Sequence, residues 1–368
     1  MRIPIVNLKP TIEETRKDWQ ANVDALMARG FFILGPELDR FETSLALALG
    51  ARYAIGVSTG STAIEVSLRD AGVVEPKQEV ITSAMTAPFT GVSIAAAGAT
   101  PRFADIDPET LQVDADDLGN RIRKRTAALV PVHLYGQPCE IGQIARVAKQ
   151  QKLKLIQDAC QSHGALPFTE YGDYVALSFY PTKNLGCLGD GGAILTNKPG
   201  TAKRLRQIRD GGRGSGGLPR NQIAYVKGIN ARLDELQCCY LNAFLPHLHR
   251  WNEQRRRLAR IYDEMLSGLD AIRLSRRTAD SVCHLYVVKA KKRDRLRDYL
   301  QGLGIGTGIH YPVPLHLHPA FASSGQKKGD LPHAEKAATE IVSLPLWPQL
   351  EEDRVREVAE AVRRFYAK

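Results

Sequence analysis

The chain has 368 residues, with 50 Lys and Arg against 40 Asp and Glu for a formal net charge of +10, and is 43% hydrophobic and 24% charged. That is ordinary globular usage, long enough for about two domains with sizeable cores, and it excludes a disordered, collagen-like or small disulfide-stapled chain. No apolar run reaches the roughly 18 residues of a membrane span, and Arg2 and Pro4 stand where a signal peptide needs an apolar stretch. A cytoplasmic protein without a membrane partner is expected.

In chain order, short β-branched runs predict strands at 53–58, 79–84, 101–106, 127–134, 154–159, 174–179 and 192–197. Amphipathic stretches at 61–71, 141–151 and 202–209 separate several of them. This alternation predicts a three-layer α/β/α domain built on a mostly parallel, seven-stranded sheet. From 233 to 269 the pattern is helical, with Pro246 inside it, where a helix should kink or break. Strands are predicted at 284–290 and 305–312 and a closing helix at 351–367, which together make a smaller α+β domain. The expected division is 1–245, with an N-terminal arm, and 246–368.

Cys139, Cys160, Cys187, Cys238, Cys239 and Cys283 show no CxxC spacing, so reduced thiols are expected rather than disulfides or a metal site. The basic runs 121–125 and 255–257 lie in helical patterns without interleaved aromatics and are read as solvated helix faces. No nucleic-acid partner is expected from them, and the net charge suits a small polyanionic ligand equally well. The glycine-rich segment 211–217 is a surface loop or a lid over an anion.

Candidate chemistry begins at Asp158, at the carboxyl end of a predicted strand, where open α/β sheets bind ligands. By itself it could equally cap a helix. In SFYPTKNLG, residues 178–186, Lys183 follows an apolar strand in a turn rich in Pro, Asn and Gly. A lysine amine reacts only when deprotonated, and burial near other cations lowers its pKa toward that state. A carboxylate at one strand end and a lysine after a neighbouring strand suit pyridoxal 5'-phosphate, whose ring nitrogen needs a carboxylate and whose aldehyde needs an amine. VSTGSTA, residues 57–63, offers a glycine turn and hydroxyls opening a helix, a cradle for a phosphate at Gly60, Ser61 and Thr62. Ser178 could add a further phosphate contact.

Together DACQSHG (158–164), residues 178–192, PVHLYG (131–136) and GINARLDELQ (228–237) closely resemble motifs of the DegT-type nucleotide-sugar aminotransferases, and the resemblance extends from ILGPE (33–37) to HYP (310–312) and LPL (344–346). It implies the fold-type I architecture of pyridoxal phosphate enzymes and an obligate homodimer with shared active sites. It implies that Lys183 forms the internal aldimine and shuttles the substrate proton, that Asp158 pairs with the ring nitrogen and that Gln161 faces the ring hydroxyl. Ser61, Thr62 and Ser178 match phosphate binders, Asn230 matches a residue reaching the partner's phosphate, and Arg232, His310 and Tyr311 match positions lining the sugar side. The implied reaction moves an amino group from an amino acid, L-glutamate, to a keto carbon of a nucleotide-diphosphate ketosugar. Two alternatives share the fold. A sugar dehydratase would carry histidine at 183, and a non-catalytic regulator would be expected to lose Lys183, Asp158 or Gln161. One departure concerns the ring-stacking aromatic, whose position is taken by Ala87; either Phe89 reaches in or smaller side chains cover the ring.

Overall fold

The strands β1 (Tyr53–Val57), β2 (Glu79–Ser83), β3 (Thr100–Ala104), β4 (Thr126–Val130), β5 (Lys154–Asp158), β6 (Tyr174–Ser178) and β7 (Gly192–Thr196) form one sheet in the order β1-β7-β6-β5-β4-β2-β3. We describe residues 2–214 and 223–367 of the computed structural model. Only β7 runs antiparallel, against β1 and β6; the remaining pairs are parallel. Successive side chains point to opposite faces. On β7, Ala193 and Leu195 join a core with helices Pro36–Ala48 and Glu235–Phe244, while Ile194 joins one with helices Gly60–Asp70 and Pro199–Arg209. With helices on both sides, most sheet residues are buried on either face, which explains the near-continuous apolar strands.

A second sheet of three antiparallel strands, β8 (Ile272–Leu274), β9 (Tyr286–Ala290) and β10 (Ile341–Leu344), has the order β10-β9-β8. Its core includes Tyr262 from helix Leu248–Leu266, Val358 from helix Glu352–Tyr366, and Ile3 from the N-terminal segment. The predicted strand at 305–312 does not form. Ile305 bridges Ile3 while Gly308 bridges Ser343, so the segment is divided between two neighbours and has no continuous ladder. Sequence reasoning missed β8 and β10. The first has three residues, and the second follows helix Pro332–Glu340 with no turn residue between them. At Pro246 the expected break is a 3-10 turn, Leu245–His247, between two helices. The run 121–125 is not helical, because the helix before it ends at Asn120. Of the glycine-rich segment, 215–217 lie outside the described residues.

Glu235, fully buried, ties the two helices beside β1 together. Its carboxylate accepts the backbone N–H groups of Gly35, Glu37 and Leu38 at 2.9, 3.0 and 3.0 Å, filling the otherwise unpaired first turn of helix Pro36–Ala48.

Two fully buried histidines pack beside the sheet. His133 stacks on Phe168 with ring centroids 4.2 Å apart, and His163 leaves both ring nitrogens without a hydrogen-bond partner. Burial pushes each well below the usual 6.5, to about 3. The unfolded chain therefore takes up protons near pH 6.5 that the folded chain refuses until about pH 3, so stability is complete above 6.5 and falls as pH drops through that window. Each histidine should contribute up to about 1.4 kcal/mol per pH unit. The urea-unfolding midpoint should fall between about pH 7.5 and 5.5, and the double variant His133→Gln, His163→Gln should flatten that fall. An equal wild-type midpoint at both pH values would contradict this account.

Candidate active site

The site forms at the carboxyl ends of the central strands. Asp158 is the last residue of β5 and only 5% exposed. Its Oδ2 accepts the Thr90 hydroxyl at 2.8 Å and its Oδ1 the Cys160 backbone N–H at 3.1 Å. Thr90 lies in the first turn of helix Pro88–Ala97 and was not found by sequence reasoning, because it is 68 residues from its partner. Gln161 accepts the Tyr135 backbone N–H at 2.7 Å and donates to the Tyr311 hydroxyl at 3.3 Å, so it joins the strand-end motif to the C-terminal segment.

Lys183 follows β6, the neighbour of β5, in the connection to antiparallel β7. That connection is tight. The Lys183 backbone N–H bonds to Tyr180 O at 2.8 Å, and a Cβ on Gly186 would stand 2.5 Å from Pro181 O. The next residue, Asn184, donates to Asn252 Oδ1 at 2.8 Å and Val282 O at 3.0 Å, and its Oδ1 lies 3.0 Å from His284 Nδ1. These anchors hold the loop to both the long helix and the C-terminal region. Among the described residues the Lys183 amine itself has no hydrogen-bond or ion-pair partner, and burial pulls it below the usual lysine range. Around it stand His163, His284 and His310, each pushed down first by burial and second by the positive charge of Lys183, His310 to about 4. The site is thus a half-buried lysine among neutral histidines, a grouping with no local sequence signal.

The phosphate candidates surround the start of helix Gly60–Asp70. Thr59 caps it by accepting the Thr62 N–H at 2.9 Å, which leaves Gly60 and Ser61 as first-turn amides without intrahelical partners. Ser58 and Thr59 hydroxyls lie 3.1 and 2.8 Å from that of Thr62, and Ser178 accepts the Tyr180 N–H at 3.3 Å. β7 closes against this turn: a Cβ on Gly192 would lie 2.4 Å from the Thr59 carbonyl, and one on Gly60 would lie 2.6 Å from Ser178 Cβ.

The remaining candidates fall at the margins. Ser58 donates to Ala231 O at 3.0 Å, so the 228–232 segment runs beside the end of β1; Asn230 there is exposed, and Arg232 pairs with Asp210 at 3.2 Å. His310 Nδ1 lies 2.8 Å from the Ser343 hydroxyl, and the Tyr135 hydroxyl donates to His310 O. Tyr311, beside Gln161, is pushed up to about 12 by burial. Phe89 is 66% exposed, and Ala87 is the N-cap residue of its helix.

The arrangement can hold an aromatic, phosphorylated aldehyde: a carboxylate for a ring nitrogen, a partnerless amine for the aldehyde, and free first-turn amides with hydroxyls for a dianion. Among the described residues no cluster of His, Cys, Asp or Glu is placed to hold a metal, all six cysteines are free, and no helix is long and apolar enough to cross a membrane.

The family model described as the DegT/DnrJ/EryC1/StrS aminotransferase family matches residues 13–363. A relative named "Pleiotropic regulatory protein" from Geobacillus stearothermophilus is 41% identical, covering 100% of this chain and 99% of its own. The dTDP-3-amino-3,4,6-trideoxy-α-D-glucose transaminase of Streptomyces venezuelae is 39% identical, covering 99% of this chain and 96% of its own. The crystal structure of NtdA from Bacillus subtilis with bound cofactor PMP superposes with a TM-score of 0.92 at 31% identity, covering 100% of this chain and 85% of that one. The chain is an enzyme that belongs to the DegT/DnrJ/EryC1/StrS family of sugar aminotransferases.

Proposed function

We propose that the enzyme uses pyridoxal 5'-phosphate to move an amino group from L-glutamate to a keto carbon of a nucleotide-diphosphate ketosugar. The observation that carries this reading is the half-buried Lys183 amine, which has no partner among the described residues and follows the strand beside the one whose end carries Asp158, anchored by Thr90 and Cys160. Asp158 would face the ring nitrogen, Gln161 the ring hydroxyl, and Gly60, Ser61, Thr62 and Ser178 the phosphate. When bound, the cofactor supplies an electron sink for the donor's α-carbon. The chain's own residues do the rest. Lys183 would hold the aldehyde, and its amine would move the proton at the substrate carbon. The surrounding neutral histidines and buried apolar walls favour the uncharged amine needed for both tasks. The charge of +10 suits a nucleotide diphosphate, and Arg232, His310 and Tyr311 would line the sugar side. The name of the Streptomyces relative carries an amino group on the third sugar carbon, and the 308–316 segment resembles family members that aminate that carbon.

A cytoplasmic homodimer with shared sites completes the reading. Exposed apolar side chains occur on the very segments that carry the site: Phe89, Tyr180 and Leu188 are 66%, 53% and 40% exposed. Asn230, exposed at the edge of β1, would reach the partner's phosphate.

Lys183→Ala should keep the fold and lose transfer by more than about a thousandfold. Asp158→Asn should lose about a hundredfold, because an amide cannot keep the ring nitrogen protonated. Steady-state transamination with L-glutamate and a panel of nucleotide-linked ketosugars reads both. Near-wild-type turnover in either variant would show its residue to be structural.

Sharing is tested by complementation. Lys183→Ala and the double variant Asn230→Ala, Arg232→Ala should each be nearly inactive, and refolded mixtures should recover about a quarter of wild-type activity, since half the dimers are mixed with half their sites intact. Mixed dimers, verified by tag pull-down, that show no gain would place Asn230 and Arg232 outside the partner's site.

A further inference from the structure

Helix Leu248–Leu266 turns a stripe inward that includes Leu248, Trp251, Asn252, Arg255 and Leu258, at the spacing of a buried face. Two of these five are polar. Arg255 departs from the reading of 255–257 as a solvated face: it is 4% exposed and donates to the carbonyls of His284 at 3.2 Å and Leu346 at 3.3 Å, while Arg256 and Arg257 pair with Glu253 and Glu352 at the surface. Asn252, equally buried, reaches the other way, into the candidate site.

A buried amide is stable only when its donor and acceptor are both matched. Asn252 Nδ2 donates to His163 O at 2.9 Å, and its Oδ1 accepts Asn184 Nδ2 at 2.8 Å. Carbonyls only accept, so His163 O and Val282 O fix which way both amides face, and Asn184 Oδ1 is left to accept His284 Nδ1–H at 3.0 Å. The bonds therefore run in one direction, from His284 through Asn184 and Asn252 to His163, and such chains reinforce one another. His163 belongs to the strand-end motif of Asp158 and Gln161, and Asn184 is the residue after Lys183. Asn252 thus stands between the two halves of the site.

We propose that Asn252 is a positioning residue for the transfer reaction: by bonding His163 O and Asn184 at once, it sets the Lys183 loop against the strand end that carries Asp158. This rests on the aminotransferase reading above. Asn252 acts through its two partners, not on the reacting atoms. A loop released by a fraction of an ångström misaligns the amine with the carbon whose proton it moves, which slows the chemistry and leaves donor binding intact.

The test separates placement from stability. In the half-reaction of holoenzyme with L-glutamate, followed by absorbance, Asn252→Ala should lower the limiting rate about thirtyfold and leave the half-saturating concentration within about twofold. Asn184→Ala should slow it at least as far, and the double variant should be no slower than Asn184→Ala, because both substitutions cut one bond; losses that multiply would overturn the proposal. Leu258→Ala opens a cavity in the same helix face, where it packs in the core of the small sheet, and should lower the melting temperature without changing the rate. A loss there equal to that of Asn252→Ala would reduce Asn252 to a structural residue. In cofactor-free protein, trace acetylation with acetic anhydride and peptide mass mapping read the pH midpoint of the Lys183 amine. Burial holds that amine below the usual lysine range, against the opposing pull of Cys160 and Asp158. With the loop released, water reaches the amine, and the midpoint should rise in Asn252→Ala. An unchanged midpoint, or an unchanged limiting rate in the folded variant, would overturn the proposal. If Asn252→Ala does not fold, Asn252→Ser, whose hydroxyl is too short to bridge both partners, replaces it in every measurement, with an expected drop of about tenfold. A wild-type holoenzyme that reacts with no amino acid would instead overturn the aminotransferase reading, and the acetylation midpoint would still decide the part of Asn252.

Discussion

The site depends on keeping a half-buried lysine amine without an ion-pair partner. A carboxylate stands near enough to raise the Lys183 pKa, yet its oxygens are already engaged, by the Thr90 hydroxyl and the Cys160 amide. Asp158 makes no ion pair with Lys183 among the described residues; such a pair would hold the amine charged and inert. Thr90 helps fix where that carboxylate stands. The neutral histidines act in the same sense: they fill the space around the amine with groups that burial keeps uncharged.

Sheet topology makes this separation possible. β5 and β6 lie side by side, so a residue ending one and a residue following the other face the same opening. Antiparallel β7 returns the chain at once, and the close approach of Gly192 to Thr59 brings the β6–β7 connection against the start of helix Gly60–Asp70. The candidate phosphate cradle and the lysine are thereby held by one packing contact. The C-terminal region adds the second wall, through Val282 and His284 on Asn184 and through Tyr311 on Gln161.

What the sequence made legible was local. Asp158 and Gln161 sit in one short motif, Lys183 in another, and each of the seven sheet strands carries its own apolar run. What it hid was assembled over distance. Thr90 looks like any helix-start threonine, and Asn184 gives no hint of Asn252 or His284 until the fold brings them together. Arg255 reads as one of three adjacent surface arginines, because helical periodicity alone does not show that this turn faces the interior. The predicted strand at 305–312 failed for a related reason: local β propensity was present, but its two ends found different partners. Phe89 shows the converse, an aromatic beside the site that the helix start turns outward.

The central claim is that Lys183 is the residue that bonds the cofactor. Borohydride reduction of the holoprotein followed by peptide mass mapping tests it directly. The account predicts the cofactor's mass on the peptide containing Lys183 and on no other. A label on a different lysine, or cofactor that remains entirely releasable after reduction, would contradict it.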